Sequence, residues 1–318
     1  MKHLTKTETA RWLAGHDDYC IITHRRPDGD TMGSSAALCR ALRGMGKNAH
    51  ILANPEMTDK YRALHEGLTC GEIAPGATVV SVDLAAETMF PASRTDLSGR
   101  VELLIDHHGS NSGYAREGLV EENTAACGEI IYDLMLELGA EMTREIAEAI
   151  YTAVSTDTGC FRYANTTAHT LRVAAACLEA GADTYRINKK LFETSRLSRL
   201  KLNAYLAQHL EILGDGKIAL CQIPLEVERE TGVHEDDMEN VSNFAENVEG
   251  VKLAVTFRTE PGGATKISVR SVPGYNSSAV CAELGGGGHV GAAGARLECG
   301  QAQARERVLE VLKKLGYL

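Results

Sequence analysis

Several features are scarce in this 318-residue chain, and each scarcity removes a class of function. No stretch approaches the ~18 uncharged apolar residues of a membrane span, so no membrane role is expected. No apolar core follows Met1-Lys2-His3-Leu4-Thr5-Lys6-Thr7-Glu8, which argues against a signal peptide and for a cytoplasmic location. Positive charge is in deficit: 33 Lys+Arg face 43 Asp+Glu, a formal net charge of −10. A protein that grips long duplexes normally carries a basic face, so long duplex nucleic acid is excluded as a partner while a small nucleotide is not. Aromatic residues make up only 5%, too few for an extended base-stacking platform. There is no C-x-x-C pair. The nine cysteines are an odd number and never closer than Cys160 and Cys177, so they read as reduced, mostly buried thiols.

What is present is enough chain for two domains and an alternation of short apolar runs with helical patterns. Segments 18–24 (DYCIITH), 48–53, 78–83 (TVVSVD) and 101–108 (VELLIDHH) read as buried strands. Helices are expected from about Ser34 to Gly44, from a cap at Thr124 to Gly139, from Thr143 towards Asp157, and from Thr167 to Gly181. This is the pattern of an α/β protein with a mostly parallel sheet covered by helices. Residues 184–212, charged and free of Gly and Pro, read as a helical connector. Beyond it, 216–224, 251–259 and 264–272 are strand-like, with Pro261-Gly262-Gly263 turning between the last two. Asn276 can cap a short helix to Leu284, GGGGH (285–289) follows, and Val308, Val311, Leu312 and Leu315 line one side of a final amphipathic helix. The acidic stretch 234–240 reads as a solvated loop or helix start. The expected division is 1–185, a connector 186–212, and a smaller α/β domain 213–318, with the active site in the cleft between the two domains.

Position then singles out the chemistry. His24, Asp83 and the triplet Asp106-His107-His108 fall at strand ends, and Asp28 and Asp30 lie in the turn after the first strand. In open parallel sheets, ligands collect at the carboxyl ends of strands, so these residues should converge. Asp157 follows Ile146, Ile150 and Val154 at helical spacing and should share their inward face. A buried carboxylate there needs a cation. Taken alone, Pro-Asp-Gly-Asp is turn chemistry and His107-His108 an ordinary surface pair. Together, aspartates and imidazoles in one cleft suit Mn²⁺, Mg²⁺ or Fe²⁺. Two such ions ~3.5–4 Å apart can generate a bridging hydroxide and stabilise an in-line displacement at phosphorus.

HRRPDGDTMGSS, Asp83 in SVD, IDHH, STDTGCFRYANTT and GGGGHVGAAG resemble, in order, the motifs of the DHH phosphoesterase family and its associated C-terminal domain. The resemblance runs from about residue 20 to 297 and, at this length, is most similar to the branch of oligoribonucleases and 3′-phosphoadenosine-5′-phosphate phosphatases. It implies that His24, Asp28 and Asp83 hold one metal ion and that Asp30, Asp83, His107 and Asp157 hold a second, with Mn²⁺ favoured. It implies catalytic roles for His108, facing substrate, and Asp106, orienting a neighbouring histidine. It also implies a substrate-binding set of Arg270, Gly287, Gly288 and His289. The implied activity is hydrolysis of short oligoribonucleotides, linear dinucleotides included, to mononucleotides, with 3′-phosphoadenosine 5′-phosphate as a further substrate. Short RNA fragments or small nucleotides are thus the expected partners, and a second copy of the chain a further candidate. The alternatives are a pyrophosphatase, polyphosphatase or single-strand exonuclease on the same lobe, or a non-enzymatic nucleotide- or RNA-binding module. No role is assigned to Phe161, Arg162 and Tyr163.

Overall fold

The computed structural model describes residues 1–238 and 241–318, so the last two positions of the acidic stretch 234–240 lie outside the described residues. The chain divides into two compact units, Met1–Thr194 and Ser195–Leu318.

The first unit is built on seven strands: β1 (Lys2–His3), β2 (Tyr19–Ile22), β3 (Ala49–Leu52), β4 (Thr69–Cys70), β5 (Thr78–Val82), β6 (Leu103–Asp106) and β7 (Glu117–Val120). Their spatial order is β1-β7-β6-β5-β2-β3-β4, and every neighbouring pair is parallel. The chain runs outward through β2, β3 and β4, then returns to lay β5 on the other side of β2. That reversal opens a crevice at the carboxyl ends of β2 and β5.

Both faces of this sheet are buried, and successive residues serve opposite faces. Tyr19, Ile21, Val80, Val82, Leu103 and Ile105 pack beneath helices α1 (Lys6–Gly15), α2 (Gly29–Gly44), α3 (Cys127–Leu138), α4 (Arg144–Asp157) and α5 (Ala168–Glu179). Cys20, Ile22, Val79 and Leu104 meet Leu84, Phe90, Leu97 and Val101 from an irregular segment on the other side. Helices therefore cover one face and the 84–101 segment closes the other. Helix α1 carries only a weak apolar stripe, but its Thr5–Glu8 capping box fixes its start. The centre of the unit is the α2–α4 pair. Gly33 permits it: a Cβ there would lie 2.3 Å from the Ala149 carbonyl oxygen.

Residues 184–212 are not one helix. A short α6 (Thr184–Asn188) and one π turn (Lys189–Glu193) end at extended Thr194, before α7 (Leu197–Gln208). Leu191 packs on the first unit's core, whereas Leu202 and Leu206 pack on the second's. Two cores claim the two halves, so no single apolar stripe runs through.

The second unit holds β8 (Glu211–Leu213), β9 (Ile218–Ile223), β10 (Leu253–Thr259), β11 (Thr265–Ser271), β12 (Gly287–Gly288) and β13 (Ala292–Leu297), ordered β12-β13-β11-β10-β9-β8. Only β9–β10 is parallel. Helices α10 (Ser277–Glu283) and α11 (Gln301–Lys314) cover one face. Helix α7 and the short α8 (Leu225–Thr231) and α9 (Asn243–Glu246) pack over β9 and β10 on the other. Asn276 caps α10 by accepting from the Ala279 amide at 3.0 Å, and Val308, Val311 and Leu312 are buried as expected. Among the described residues no helix is long and apolar enough to cross a membrane, and all nine cysteines are free thiols, six of them buried.

Candidate functional site

The helix expected from Ser34 begins five residues earlier, at Gly29, because Asp28 is its N-cap. Asp28 Oδ1 accepts from the amides of Asp30 and Thr31 at 3.1 and 3.2 Å. The turn chemistry of HRRPDGD is thus spent on starting α2 at the crevice. Asp30, 1% exposed, sits in the first turn of that helix.

Asp30 explains a second departure. Helix α3 starts at Cys127 rather than Thr124, and its N-cap, Ala126, has no capping side chain. The free amides of Cys127 and Gly128 donate instead to the Asp30 carboxylate at 2.6 and 3.0 Å, and Ser34 Oγ donates at 2.9 Å. A carboxylate at a helix N-terminus is well placed against the macrodipole. Burial, followed by the charges of Asp83 and Asp157, still pushes Asp30 well above the usual carboxylate range.

Asp83 follows β5 at a φ of +55°, a conformation that Asp and Asn tolerate better than most residues. It is 2% exposed, and its two oxygens face different partners. Oδ2 lies 3.8 Å from His24 Nε2, while Oδ1 lies 3.4 Å from His107 Nε2 and 3.6 Å from His108 Nδ1. His107 Nε2 is also 3.7 Å from Asp30 and 3.6 Å from Asp157. His24 Nε2 is 3.6 Å from Asp28. Three groups of potential ligand atoms result, each within 4.8 Å: His24, Asp28 and Asp83; Asp30, His107 and Asp157; and Asp83, His107 and His108. All six sequence-predicted metal ligands are brought together.

The two imidazoles are held through their far nitrogens. His24 Nδ1 contacts the Arg25 carbonyl at 2.7 Å and His107 Nδ1 the Thr124 carbonyl at 3.3 Å, which leaves both Nε2 atoms to the cluster. Burial alone would lower His24, but Asp28 and then Asp83 push it up to about 9. His107 is raised to about 10 against the same burial, by Asp83 and Asp30. Asp157, ending α4, is pushed up to about 7 by burial, partly offset by His107. These are groups crowded without their counter-charge.

A direct test of fit to metal ions lies in Asp83. Its Oδ1 is buried and makes no hydrogen bond. Only the imidazoles of His107 and His108 lie near it, and once they present bare nitrogens to an ion this buried anionic oxygen needs a cation as well. Carboxylate oxygens with imidazole nitrogens are the donor set of hard to borderline divalent cations. The residues present fit divalent metal ions.

Asp106 orients His108 rather than His107. Fully buried, it accepts from His108 Nδ1 at 2.8 Å, from the His107 amide at 2.8 Å and from Asn111 Nδ2 at 2.6 Å. Burial works to raise it, yet these bonds, His108's foremost, hold it below the usual carboxylate range. His108 is raised by the same bond. Asn111, Ser34 and Thr124 were given no part in the site from sequence, Ser34 and Thr124 being read only as helix starts. Only their closeness to the aspartate-histidine motifs could have flagged them. Phe161 packs against Tyr151, with ring centroids 5.7 Å apart, and Arg162 Nε donates to the Gly159 carbonyl, so both serve local packing.

In the second unit, Arg270 lies on β11 on the face opposite the core residues Ile267 and Val269. Its Nε donates to Asn243 Oδ1 at 3.3 Å. In the strand register Arg270 is opposite Ala292, whose amide and carbonyl exchange bonds with His289. Arg270 and His289 therefore share one end of this sheet. The glycine run is less a loose loop than an edge strand. A Cβ at Gly286 or Gly288 would strike the backbone of β13 at 2.2 and 2.6 Å, whereas Gly287 faces open space.

A wholly parallel sheet whose switch point gathers aspartates and histidines fitted to divalent ions defines a metal-dependent hydrolase lobe. Comparison with known proteins gives the family. Residues 18–154 match the DHH family, N-terminal domain, and residues 215–315 match the DHHA1 domain. The chain is 35% identical over 305 residues to the bifunctional oligoribonuclease and PAP phosphatase NrnA of Thermus thermophilus, covering 94% of this chain and 91% of that one. It is 27% identical over 297 residues to the like-named protein of Bacillus subtilis, covering 92% and 93%. A crystal structure of an exopolyphosphatase-related protein from Bacteroides fragilis shares the fold, with a TM-score of 0.87 at 23% identity over 97% of this chain and 95% of that one. The chain belongs to the DHH family of phosphoesterases, with its DHHA1 domain, and is a hydrolase.

Proposed function

We propose that this phosphoesterase hydrolyses short oligoribonucleotides, linear dinucleotides included, to mononucleotides, and also removes a phosphate from 3′-phosphoadenosine 5′-phosphate. The carrying observation is Asp83, whose two oxygens face two separate groups of ligands across the switch-point crevice. The similarity to relatives named as oligoribonuclease and PAP phosphatase supports the substrate class. The acidic balance of the chain favours short ligands over long ones.

In this reading, His24, Asp28 and Asp83 hold one Mn²⁺ ion, and Asp30, Asp83, His107 and Asp157 hold a second. The ions, when bound, supply a water of lowered pKa and neutralise charge that develops on the phosphoryl oxygens. His108 carries a proton on an imidazole fixed by Asp106, and its half-exposed ring delivers that proton to the leaving oxygen. Asp106 and Asn111 set the angle of that ring. Residues 1–185 form the catalytic domain. In the second unit, Arg270 grips a phosphate through its planar guanidinium, and Gly287, Gly288 and His289 line the nucleotide. The location is the cytoplasm.

Product analysis tests the proposal. The enzyme with Mn²⁺ is offered a dinucleotide, a five-nucleotide RNA, 3′-phosphoadenosine 5′-phosphate and pyrophosphate. Mononucleotides from both RNAs and 5′-AMP from the bisphosphate are expected. Turnover of pyrophosphate alone would overturn the substrate assignment.

A further inference from the structure

The aspartate-histidine cluster occupies only part of the first unit's carboxyl edge. It spans β2, β5 and β6, and the sheet continues past it through β7 to β1. Over the ends of β6, β7 and β1 lies a pocket of about 460 Å³, within the ~300–1,000 Å³ range of small-ligand sites. Its lining includes His3, His108, Asn111, Ser112, Val120 and Glu122. His108 has a share in both places. Its Nδ1 lies 3.6 Å from Asp83 in the cluster, and the residue forms part of the pocket wall. Among the described residues no Lys or Arg side chain lines this pocket, so it is not built to grip a phosphate.

Glu122 supplies the polar group with capacity to spare. Asn111 is committed to Asp106 and to the Gly113 amide, and Ser112 Oγ to the Ala85 carbonyl. The Glu122 carboxylate, by contrast, has neither a hydrogen bond nor an ion pair among the described residues. It lies against the residue next to His108: a Cβ on Gly109 would come within 3.1 Å of Glu122 Oε2. An ionised carboxylate only accepts hydrogen bonds, so the ligand that suits it is a hydroxyl. A free acceptor beside a proton donor, in a pocket without Lys or Arg, fits a sugar that carries one hydroxyl next to the oxygen being released.

Both proposed substrates release such a sugar. Attack at phosphorus converts 3′-phosphoadenosine 5′-phosphate to 5′-AMP by breaking the bond between phosphorus and O3′. RNA yields 5′-mononucleotides when the same bond breaks. In each case the oxygen of water bonds to phosphorus, O3′ departs with the electron pair of the broken bond, and His108 gives O3′ its proton. The 2′-hydroxyl sits on the adjacent carbon. We propose that this pocket binds the leaving ribose and that its 2′-hydroxyl donates to Glu122. The inference rests on the hydrolysis proposed above and makes Glu122 a specificity residue that favours ribose over deoxyribose at the leaving position. It also explains how one site takes both an RNA end and a nucleotide bisphosphate. The two differ in what stays on phosphorus, not in the sugar that departs.

Initial rates of the full chain with Mn²⁺ test the pocket on three dinucleotides. These are 5′-phosphorylated diadenylate, the same molecule with 2′-deoxyadenosine as its 5′ residue, and the same with 2′-deoxyadenosine as its 3′ residue. Only the 5′ residue leaves through O3′. Wild type should lose about tenfold or more in kcat/KM when the 5′ residue is deoxy, the range of a hydrogen bond to a charged group. It should stay within about twofold when the 3′ residue is deoxy. Glu122→Ala should bring the ribose-to-deoxyribose ratio at the 5′ residue to within about twofold of one. Glu122→Gln, whose amide oxygen still accepts, should keep part of it. Glu122 is exposed, so neither substitution disturbs the core. A wild-type ratio near one, or a Glu122→Ala ratio as large as that of wild type, would overturn the proposal and leave the hydrolysis standing. Failure to cleave any of the three would refute dinucleotide hydrolysis and this inference with it.

Discussion

Metal binding by this protein should expel at least two protons per chain near pH 7, and the metal-free protein should lose stability as pH rises. Both follow from the same four groups. His24 and His107, pushed up to about 9 and about 10, each still hold a proton at neutral pH when no ion is bound. Asp157, at about 7, holds one half of the time, and Asp30 is raised well above its usual range. Every one of these side chains must present a bare atom to an ion, so their protons leave as metal enters. For all four, the folded value exceeds the unfolded one, which starts from 6.5 for the histidines and 3.8 for the aspartates. Between the two values the native state binds more protons, and stability falls with pH by ~1.4 kcal/mol per proton per pH unit. The histidine contributions are complete below about 6.5 and are lost as pH rises through about 9 and about 10. The Asp157 penalty sets in above 3.8 and is complete beyond about 7. Calorimetry of Mn²⁺ binding in two buffers of different ionisation heat counts the protons. Thermal unfolding with chelator, from about pH 5 to 9, reads the stability. Release of fewer than one proton, or a metal-free protein that gains stability over that range, would refute this electrostatic account of the cluster.

Three substitutions probe other parts of the structure. Asp83→Asn keeps a side chain that tolerates positive φ, so the protein should fold, yet lose the rise in melting temperature that Mn²⁺ gives wild type, along with its hydrolase activity. Asn111→Ala removes the 2.6 Å bond to Asp106 and should lower kcat about 10–100-fold with metal affinity unchanged, measured by initial rates across a Mn²⁺ series. Gly33→Ala places a Cβ 2.3 Å from the Ala149 carbonyl and should cost about 1–3 kcal/mol in urea denaturation, with metal affinity falling as α2 and α4 separate.

The strand-end positions of His24, Asp83 and Asp106-His107-His108 were readable because buried parallel strands are short apolar runs, and polar residues end them abruptly. Asp157 was readable because helical spacing carried Ile146, Ile150 and Val154 onto one face. What escaped was anything that depends on contact between distant segments. Helix α3 shows no capping residue of its own because its cap, Asp30, lies 97 positions away. Asp106 meets the ring of His108 rather than that of His107, whose Nδ1 goes to the Thr124 carbonyl, and no spacing rule supplies that choice. The glycine run gave no sign of a strand, yet two of its members are glycine because β13 leaves no room for a Cβ. The stretch 184–212 read as one helix because a break at Thr194-Ser195-Arg196 carries no Gly or Pro signal, while the two cores that divide it lie far apart in sequence.

The central claim is that one carboxyl-edge cluster holds two divalent ions joined through Asp83. Anomalous diffraction from crystals grown with Mn²⁺ tests it most directly. The expected map has two peaks, one touching His24, Asp28 and Asp83, the other touching Asp30, Asp83, His107 and Asp157. A single peak, or peaks that leave Asp83 Oδ1 without a cation, would contradict it.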